Sequence, residues 1–309
     1  MKVLITGAWN YSNDDIDFLK SIGYECLFLK DERQIPTEQM LEAEVVVCNN
    51  LFLHSDVNLF KKLKLVQLTS AGLDRVPVDY FAEKGIKIFN ASGVYSIPIA
   101  EYVIGSVLDF YKHSFKIYEN KKRSVWLKNR DLLELNRKTI CIVGCGSVGR
   151  ECAKRFKAFD CTLVGVDIAN FKCDWFDSIV DIKGITNVLP DSDVVVLTLP
   201  LNSETNHLFN RDLLSYMKKD SLLVNVARGP IVKTDDLLEI IQNGKISGAI
   251  LDVFETEPLP HDSSLWKLEN VIISPHNSFV GDGNAFRLSA LIRKNLSQEY
   301  ENINNLPKE

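Results

Sequence analysis

The chain has 309 residues, 46% hydrophobic and 25% charged, with a formal net charge of −5. That length suits two domains of ordinary size, and that composition supports a large core and excludes a disordered chain. The acidic balance argues against a nucleic-acid partner, and no apolar run approaches the roughly 20 residues that a bilayer-spanning helix needs. The one basic cluster, Lys121-Lys122-Arg123, is read as a solvated helix end. The opening MKVLITG enters a β-rich run directly, so no secretory leader is expected. Seven cysteines without metal-type spacing lie mostly inside apolar runs such as Val47-Cys48 and Ile140-Cys141-Ile142. They fit reduced thiols in a cytoplasmic protein, and no metal site is expected.

Short apolar runs alternate with longer mixed stretches, the pattern of βαβ units in a parallel α/β fold. The first part is expected to hold strands at 2–6, 45–47, 65–68 and 87–89, between helix-like segments such as 14–22 and 57–63. A long helix is expected over about 98–119, with Ser96 as its cap and Pro98 in its first turn. Ile99, Val103, Ile104, Val107, Leu108, Tyr111 and Phe115 recur there at helical spacing, a face to be buried within the chain or against another subunit. The second part is expected to hold strands at 139–143, 162–166, 194–199, 222–224, 248–252 and 271–273.

The strand at 139–143 runs into Gly144-Cys145-Gly146-Ser147-Val148-Gly149 and then a helical segment. This is GxGxxG in its meaningful context. Gly144 allows the tight turn, Gly146 lets a pyrophosphate approach the backbone, and Gly149 lets helix and strand pack closely. The next strand ends at Asp167, where a carboxylate would grip the ribose hydroxyls of a dinucleotide. That acid would repel a 2′-phosphate, and Ile168, Ala169 and Asn170 supply no cation to receive one, so NAD is favoured over NADP. Cys145, at a helix N-terminus, is either a small filler or a thiol of lowered pKa that switches cofactor binding.

Three later strands deliver chemistry-bearing residues to one sheet edge. Val224-Asn225-Val226-Ala227-Arg228-Gly229 ends in an arginine, whose rigid fork matches a carboxylate or carbonyl edge or makes a structural salt bridge. Ile272-Ile273-Ser274-Pro275-His276 ends in a histidine. Between them, GAILDVFETEPLP (248–260) pushes out Asp252, Glu255 and Glu257. In parallel α/β sheets ligands bind at the carboxyl ends of strands, so Arg228, a carboxylate and His276 would meet where a nicotinamide lies.

These segments resemble the D-isomer-specific 2-hydroxyacid dehydrogenase family, which includes D-3-phosphoglycerate dehydrogenases and hydroxypyruvate/glyoxylate reductases. The likeness runs over most of the chain. It takes in Ser70-Ala71-Gly72-Leu73-Asp74, Ala100-Glu101, Trp126, Lys138-Thr139-Ile140, Leu199-Pro200 with Glu204-Thr205, and the three strand ends just described. The resemblance implies a Rossmann doubly wound NAD-binding domain (98–280) inserted into a flavodoxin-like substrate domain (1–97 plus 281–309). The two would close on hinges near 93–97 and 276–281, and homodimers would use the 98–119 helix. It implies catalysis by Arg228, Glu257 and His276. Cofactor contacts would come from Gly144, Gly146, Ser147, Val148, Gly149, Asp167, Pro200, Thr205, Val226, Ala227, Arg228, Asp252 and His276. Substrate contacts would come from Asn49, Ser70, Ala71, Gly72, Arg228 and His276. Asp252 would lie near the nicotinamide carboxamide, and Glu255, matching no functional position, is assigned to solvent.

The implied reaction is hydride transfer between NAD(H) and a 2-keto or D-2-hydroxy acid, with His276 as general acid and base and Glu257 favouring its imidazolium. Formate dehydrogenases share the fold but pair the histidine with glutamine, so Glu257 argues against them. An NAD-sensing, corepressor-like binding protein is the rival from another class. Two departures from the family stand out. Phe279 is bulky for the segment after the histidine, lining either the pocket or the hinge. The loop Cys48-Asn49-Asn50-Leu51-Phe52-Leu53 has no arginine, so an unphosphorylated substrate with its tail beside Leu51 and Phe52 is expected. No regulatory domain is expected after Glu309.

Overall fold

The structure, a computed structural model, describes residues 1–169 and 171–304. Asn170, one of the residues weighed against a 2′-phosphate, and the end of the chain expected in the substrate domain lie outside the described residues. The chain divides into two compact units, Met1–Tyr95 with the segment from Gly281, and Ser96–Val280.

The first unit runs β1 (Lys2–Thr6), α1 (Asn13–Ser21), β2 (Glu25–Leu29), α2 (Glu38–Leu41), β3 (Val45–Cys48), α3 (Leu51–His54), β4 (Leu65–Leu68), α4 (Val78–Lys84) and β5 (Lys87–Phe89). All pairings are parallel, in the order β2-β1-β3-β4-β5, a flavodoxin-like arrangement. Val45, Val46, Val47 and Cys48 are fully buried, as both faces of a helix-covered parallel sheet require. Ser12 and Asp15 cap α1 reciprocally.

The second unit runs α5 (Ser96–Tyr111), α6 (Ser114–Lys122), β6 (Thr139–Val143), α7 (Ser147–Lys157), β7 (Thr162–Asp167), β8 (Ser178–Asp181), α8 (Ile185–Val188), β9 (Val194–Leu197), α9 (Arg211–Ser215), β10 (Leu222–Asn225), α10 (Thr234–Gln242), β11 (Gly248–Leu251) and β12 (Val271–Ile273). Its seven strands are parallel in the order β12-β11-β10-β9-β6-β7-β8, the Rossmann doubly wound topology. The order reverses between β6 and β9, so the crevice for a dinucleotide opens at the ends of those strands. The last helix, α11 (Asn284–Asn304), returns to the first unit, where Leu288, Ile292 and Leu296 join the core beneath β1 and β3.

Several expectations need correction. The helix expected over 98–119 is two helices. His113 takes a left-handed backbone (φ 48°) and ends the ladder after α5. Ala100, Val103, Val107 and Tyr111 are buried, but Phe115 is half exposed, so the apolar stripe runs out of core to face at the break. Ser96 lies inside the first turn rather than capping it, and its buried hydroxyl has no hydrogen-bond partner among the described residues. The helix expected at 57–63 is only a 3-10 turn, Val57–Leu59. The strands β2 and β8 escape the apolar-run criterion because both are edge strands with partly exposed residues.

Candidate active site

At the end of β6, Gly144 takes φ 97°, and a Cβ there would sit 2.7 Å from the Leu199 amide nitrogen. A Cβ on Gly149 would sit 2.1 Å from the Gly144 carbonyl oxygen, so the close approach of α7 to the strand end requires glycine. Gly146 differs: a Cβ there meets nothing within 4 Å. The space above it is open, just where α7 begins and Ser147 and Val148 form its first turn. The Thr198 hydroxyl donates to the Gly144 carbonyl (2.6 Å), pinning the loop to the end of β9. Asp167, at the end of β7, accepts from the Cys145 N–H (2.7 Å) on one oxygen and the Ile168 N–H (2.8 Å) on the other. An ionised carboxylate keeps further lone pairs on both oxygens for ribose hydroxyls. The open backbone at Gly146, the helix N-terminus and this acid fit a dinucleotide.

Cys145 does not fit a redox switch. It is 1% exposed, and burial, with Asp167 nearby, pushes its thiol up to about 12. Burial outweighs the helix N-terminus.

After β10, Asn225 stitches the turn that presents Arg228. Its side chain accepts from the Ala227 N–H (3.1 Å) and donates to the Arg228 carbonyl (3.1 Å). Val226 and Ala227 are buried, and the Arg228 guanidinium donates to the Ala227 carbonyl (2.8 Å). A Cβ on Gly229 would sit 1.9 Å from the Phe254 carbonyl, so this loop lies directly on the backbone of the loop after β11.

The turn carrying His276 is built around Asp252. That carboxylate is fully buried and accepts from the Ser274 hydroxyl (2.5 Å) and the N–H groups of Asn277 (2.8 Å) and Ser278 (3.0 Å). The Tyr102 hydroxyl on α5 lies 2.7 Å from Ser274 Oγ. Burial pushes the Tyr102 phenol up, so it stays neutral. Asp252, expected beside a nicotinamide, holds the protein's own turn through these hydrogen bonds. His276 holds a left-handed φ of 52°, unusual for a non-glycine residue, and its N–H donates to the Asp252 carbonyl (2.8 Å). The result is an imidazole whose Nδ1 lies 2.8 Å from Glu257 Oε2. Glu257 Oε1 in turn accepts from the Phe254 N–H (3.0 Å). His276 Nε2 makes no hydrogen bond among the described residues. Phe279 packs edge-on against the imidazole, with centroids 6.0 Å apart.

Glu255 is not solvent decoration. Its Oε1 lies 2.6 Å from His207 Nε2, and its Oε2 accepts from the Thr234 N–H (2.7 Å). Burial raises its pKa, but the Thr234 and His207 hydrogen bonds outweigh that and leave it below the usual range. In the loop after β9, Thr205 donates to the Pro200 carbonyl (2.7 Å) and accepts from the Asn202 N–H (2.8 Å), holding the turn that leads to His207.

In the first unit, the N–H groups of Ser70, Ala71 and Gly72 find no acceptor among the described residues. The Ala71 carbonyl accepts from the Asn90 side chain (2.8 Å), which fixes that loop. Glu32 binds the N–H groups of Asn49 (2.7 Å) and Asn50 (2.6 Å). Arg75 donates to the side chains of Asn49 (3.4 Å) and Asn50 (3.2 Å). The loop has no arginine of its own, but the fold brings a guanidinium to it from another segment. Leu51 is fully buried in the core, and Phe52 packs edge-on against Phe60 and Phe81, so neither is a free pocket wall.

Sequence reasoning missed His207, Thr234, Ser274 and Tyr102. Ser274 sat inside the Ser-Pro-His segment. His207 followed Glu204-Thr205 at the same sheet edge, where a second histidine near three carboxylates was the available signal.

A sequence profile described as D-isomer specific 2-hydroxyacid dehydrogenase, NAD binding domain, matches residues 104–278. The D-3-phosphoglycerate dehydrogenase of Methanocaldococcus jannaschii is 30% identical, over 100% of this chain and 61% of its own length. The glyoxylate reductase of Thermofilum pendens is 33% identical, over 76% of this chain and 71% of its own. Among solved structures, D-lactate dehydrogenase from Aquifex aeolicus, complexed with NAD and lactic acid, has a TM-score of 0.76 at 27% identity, covering 97% of this chain and 96% of that one. This chain thus spans less than two thirds of the first relative's length.

Proposed function

Since the chain belongs to the D-isomer specific 2-hydroxyacid dehydrogenase family of NAD-dependent enzymes, we propose that it interconverts a 2-keto acid and a D-2-hydroxy acid at the edge carrying Arg228, Glu257 and His276. The observation that carries this is the His276–Glu257 pair, 2.8 Å apart. With Nδ1 held by a carboxylate, Nε2 is the nitrogen left to exchange a proton with substrate. The glycine loop and Asp167 would hold the dinucleotide, which would supply a hydride to substrate C2 as NADH or accept one as NAD+.

In reduction, imidazolium His276 donates its Nε2 proton to the substrate oxygen; in oxidation, neutral His276 takes it back. Arg228 binds the substrate carboxylate and polarises the C2 carbonyl. The N–H groups of Ser70, Ala71 and Gly72, with the Asn49 side chain, are suited to binding a carboxylate. Arg75 against Asn49 and Asn50 gives that loop a cation, so phosphorylated and unphosphorylated acids both belong in the test. A homodimer is supported by exposed Phe115, Ile117, Tyr118, Trp126 (95% exposed) and Leu127, more apolar surface than one helix and loop ordinarily leave in water. A reducing, cytoplasmic setting is supported by seven free cysteines.

The test is NADH oxidation against glyoxylate, hydroxypyruvate, pyruvate, phenylpyruvate, 2-ketoisocaproate and 3-phosphohydroxypyruvate, with NADPH in parallel. Turnover with at least one acid and a preference for NADH are expected. Tight NADH binding with no turnover on any of them would overturn the reading.

A further inference from the structure

A second histidine–carboxylate pair, His207–Glu255, joins three of the loops at this sheet edge. His207 belongs to the loop after β9. Its backbone N–H donates to the Pro230 carbonyl (2.7 Å), and Phe209 bridges in parallel to Val232, so this loop is laid along the one after β10. Thr234, at the start of α10, gives its N–H to Glu255 (2.7 Å). Glu255 belongs to the loop after β11, and its backbone nitrogen is 2.5 Å from where a Gly229 Cβ would be. Glu255 is thus packed against the residue that follows Arg228. It also immediately follows Phe254, whose N–H holds Glu257, and it stands two residues before Glu257 itself. His207, like His276, holds a left-handed backbone (φ 52°), a conformation that a non-glycine residue keeps only when its surroundings enforce it.

We infer that His207 and Glu255 form a clamp that positions Glu257 and Arg228, so that both are positioning residues for proton transfer at His276. The inference rests on the assignment of His276, Glu257 and Arg228 above. The physical reason is leverage. Glu257 is 36% exposed and reaches His276 through a single hydrogen bond, so its direction depends on how firmly the backbone at 254–257 is held. That backbone is tied at Glu255 to two neighbouring loops, whereas a free loop would let the carboxylate swing off Nδ1. A displacement of about 1 Å in a catalytic group costs up to a hundredfold in rate.

The test compares Glu255→Ala, Glu255→Gln, His207→Gln and, as the reference, Glu257→Gln, with the best 2-keto acid of the panel. Glutamine at 255 keeps an oxygen for the Thr234 N–H and an N–H for the His207 ring, so it serves as the conservative rescue. Expected for Glu255→Ala is a kcat lower by about ten- to a hundredfold, with KM for NADH within about twofold. Glu255→Gln should recover most of that loss, and His207→Gln should fall between. Wild-type kcat in Glu255→Ala, or equal losses in the Ala and Gln variants, would overturn the clamp; a large loss in Glu257→Gln alongside would show that the catalytic assignment itself stands. If Glu255→Ala does not fold, the Gln variants decide: full activity in His207→Gln overturns the clamp, and a kcat-specific loss supports it. If the wild type turns over no keto acid, the catalytic assignment fails. The clamp is then read from the His276 ring resonance in NMR, assigned with His276→Gln: a shift in Glu255→Ala or His207→Gln, with Glu255→Gln close to wild type, supports it, and an unmoved resonance in His207→Gln overturns it.

Discussion

Glu257 Oε2 lies 2.8 Å from His276 Nδ1, and the same carboxylate's other oxygen is held by the Phe254 N–H. The acid is thus anchored on one side and directs the imidazole with the other. His276→Ala is expected to lower turnover by about two to four orders of magnitude. In the wild type, keto-acid reduction should slow as pH rises and hydroxy-acid oxidation should slow as it falls, because the two directions need opposite protonation states. Steady-state rates in both directions across pH check this; the same limb in both would remove His276 from the role.

Arg228→Lys should damage keto-acid reduction severely, because a point charge replaces a planar fork whose geometry matches carboxylate and carbonyl together. A kcat/KM within a factor of about two of wild type would take Arg228 out of the site.

Gly146 and Gly149 should separate fold from cofactor binding. Gly149→Ala forces a methyl to 2.1 Å from the Gly144 carbonyl and should destabilise the second unit by about 1–3 kcal/mol. Gly146 has an ordinary φ of −72° and open space at its Cβ, so Gly146→Ala should leave stability within about 0.5 kcal/mol while weakening NADH binding. Urea unfolding and NADH fluorescence titration measure the two effects separately.

Cys145, buried and pushed up to about 12, should stay unalkylated by iodoacetamide at neutral pH in the folded protein, and NADH affinity should survive mild peroxide. Peptide mass mapping after labelling checks the first; modification at Cys145 on the time scale of exposed thiols would contradict its burial.

Asp193 ties the central strands together. It accepts from the Thr139 N–H (2.9 Å) at the start of β6 and pairs with Lys218 (2.8 Å). Burial raises its pKa, but Lys218, the Thr139 N–H and Lys138 outweigh burial and hold it below the usual range. A folded value below the unfolded one, about 3.9, means a stabilisation that is whole above the unfolded value and lost as pH falls through the folded one. Asp193→Asn should therefore be less stable than wild type at neutral pH, with the gap closing in strong acid. Urea midpoints across pH measure it; a gap independent of pH would refute the linkage.

The glycine loop, the carboxylate after the second strand of its unit, and the strand ends leading to Arg228 and His276 were legible in the chain because each is a local pattern. Buried parallel strands are short apolar runs, and a tight turn needs glycine at set positions. The sheet's parallel topology then brings every strand's carboxyl end to one edge without further information. Tertiary structure alone decided the rest. Edge strands β2 and β8 carry too little burial to show as apolar runs, and a break at His113 depends on where the core beneath α5 ends. Glu255 meets His207 across 48 residues, Arg75 meets Asn49 across 26, and Asp252 meets Ser278 across 26. A carboxylate at a strand end reads the same whether it faces water, a ring or a buried turn, because what sets its role is which backbone donors the folded chain brings within about 3 Å.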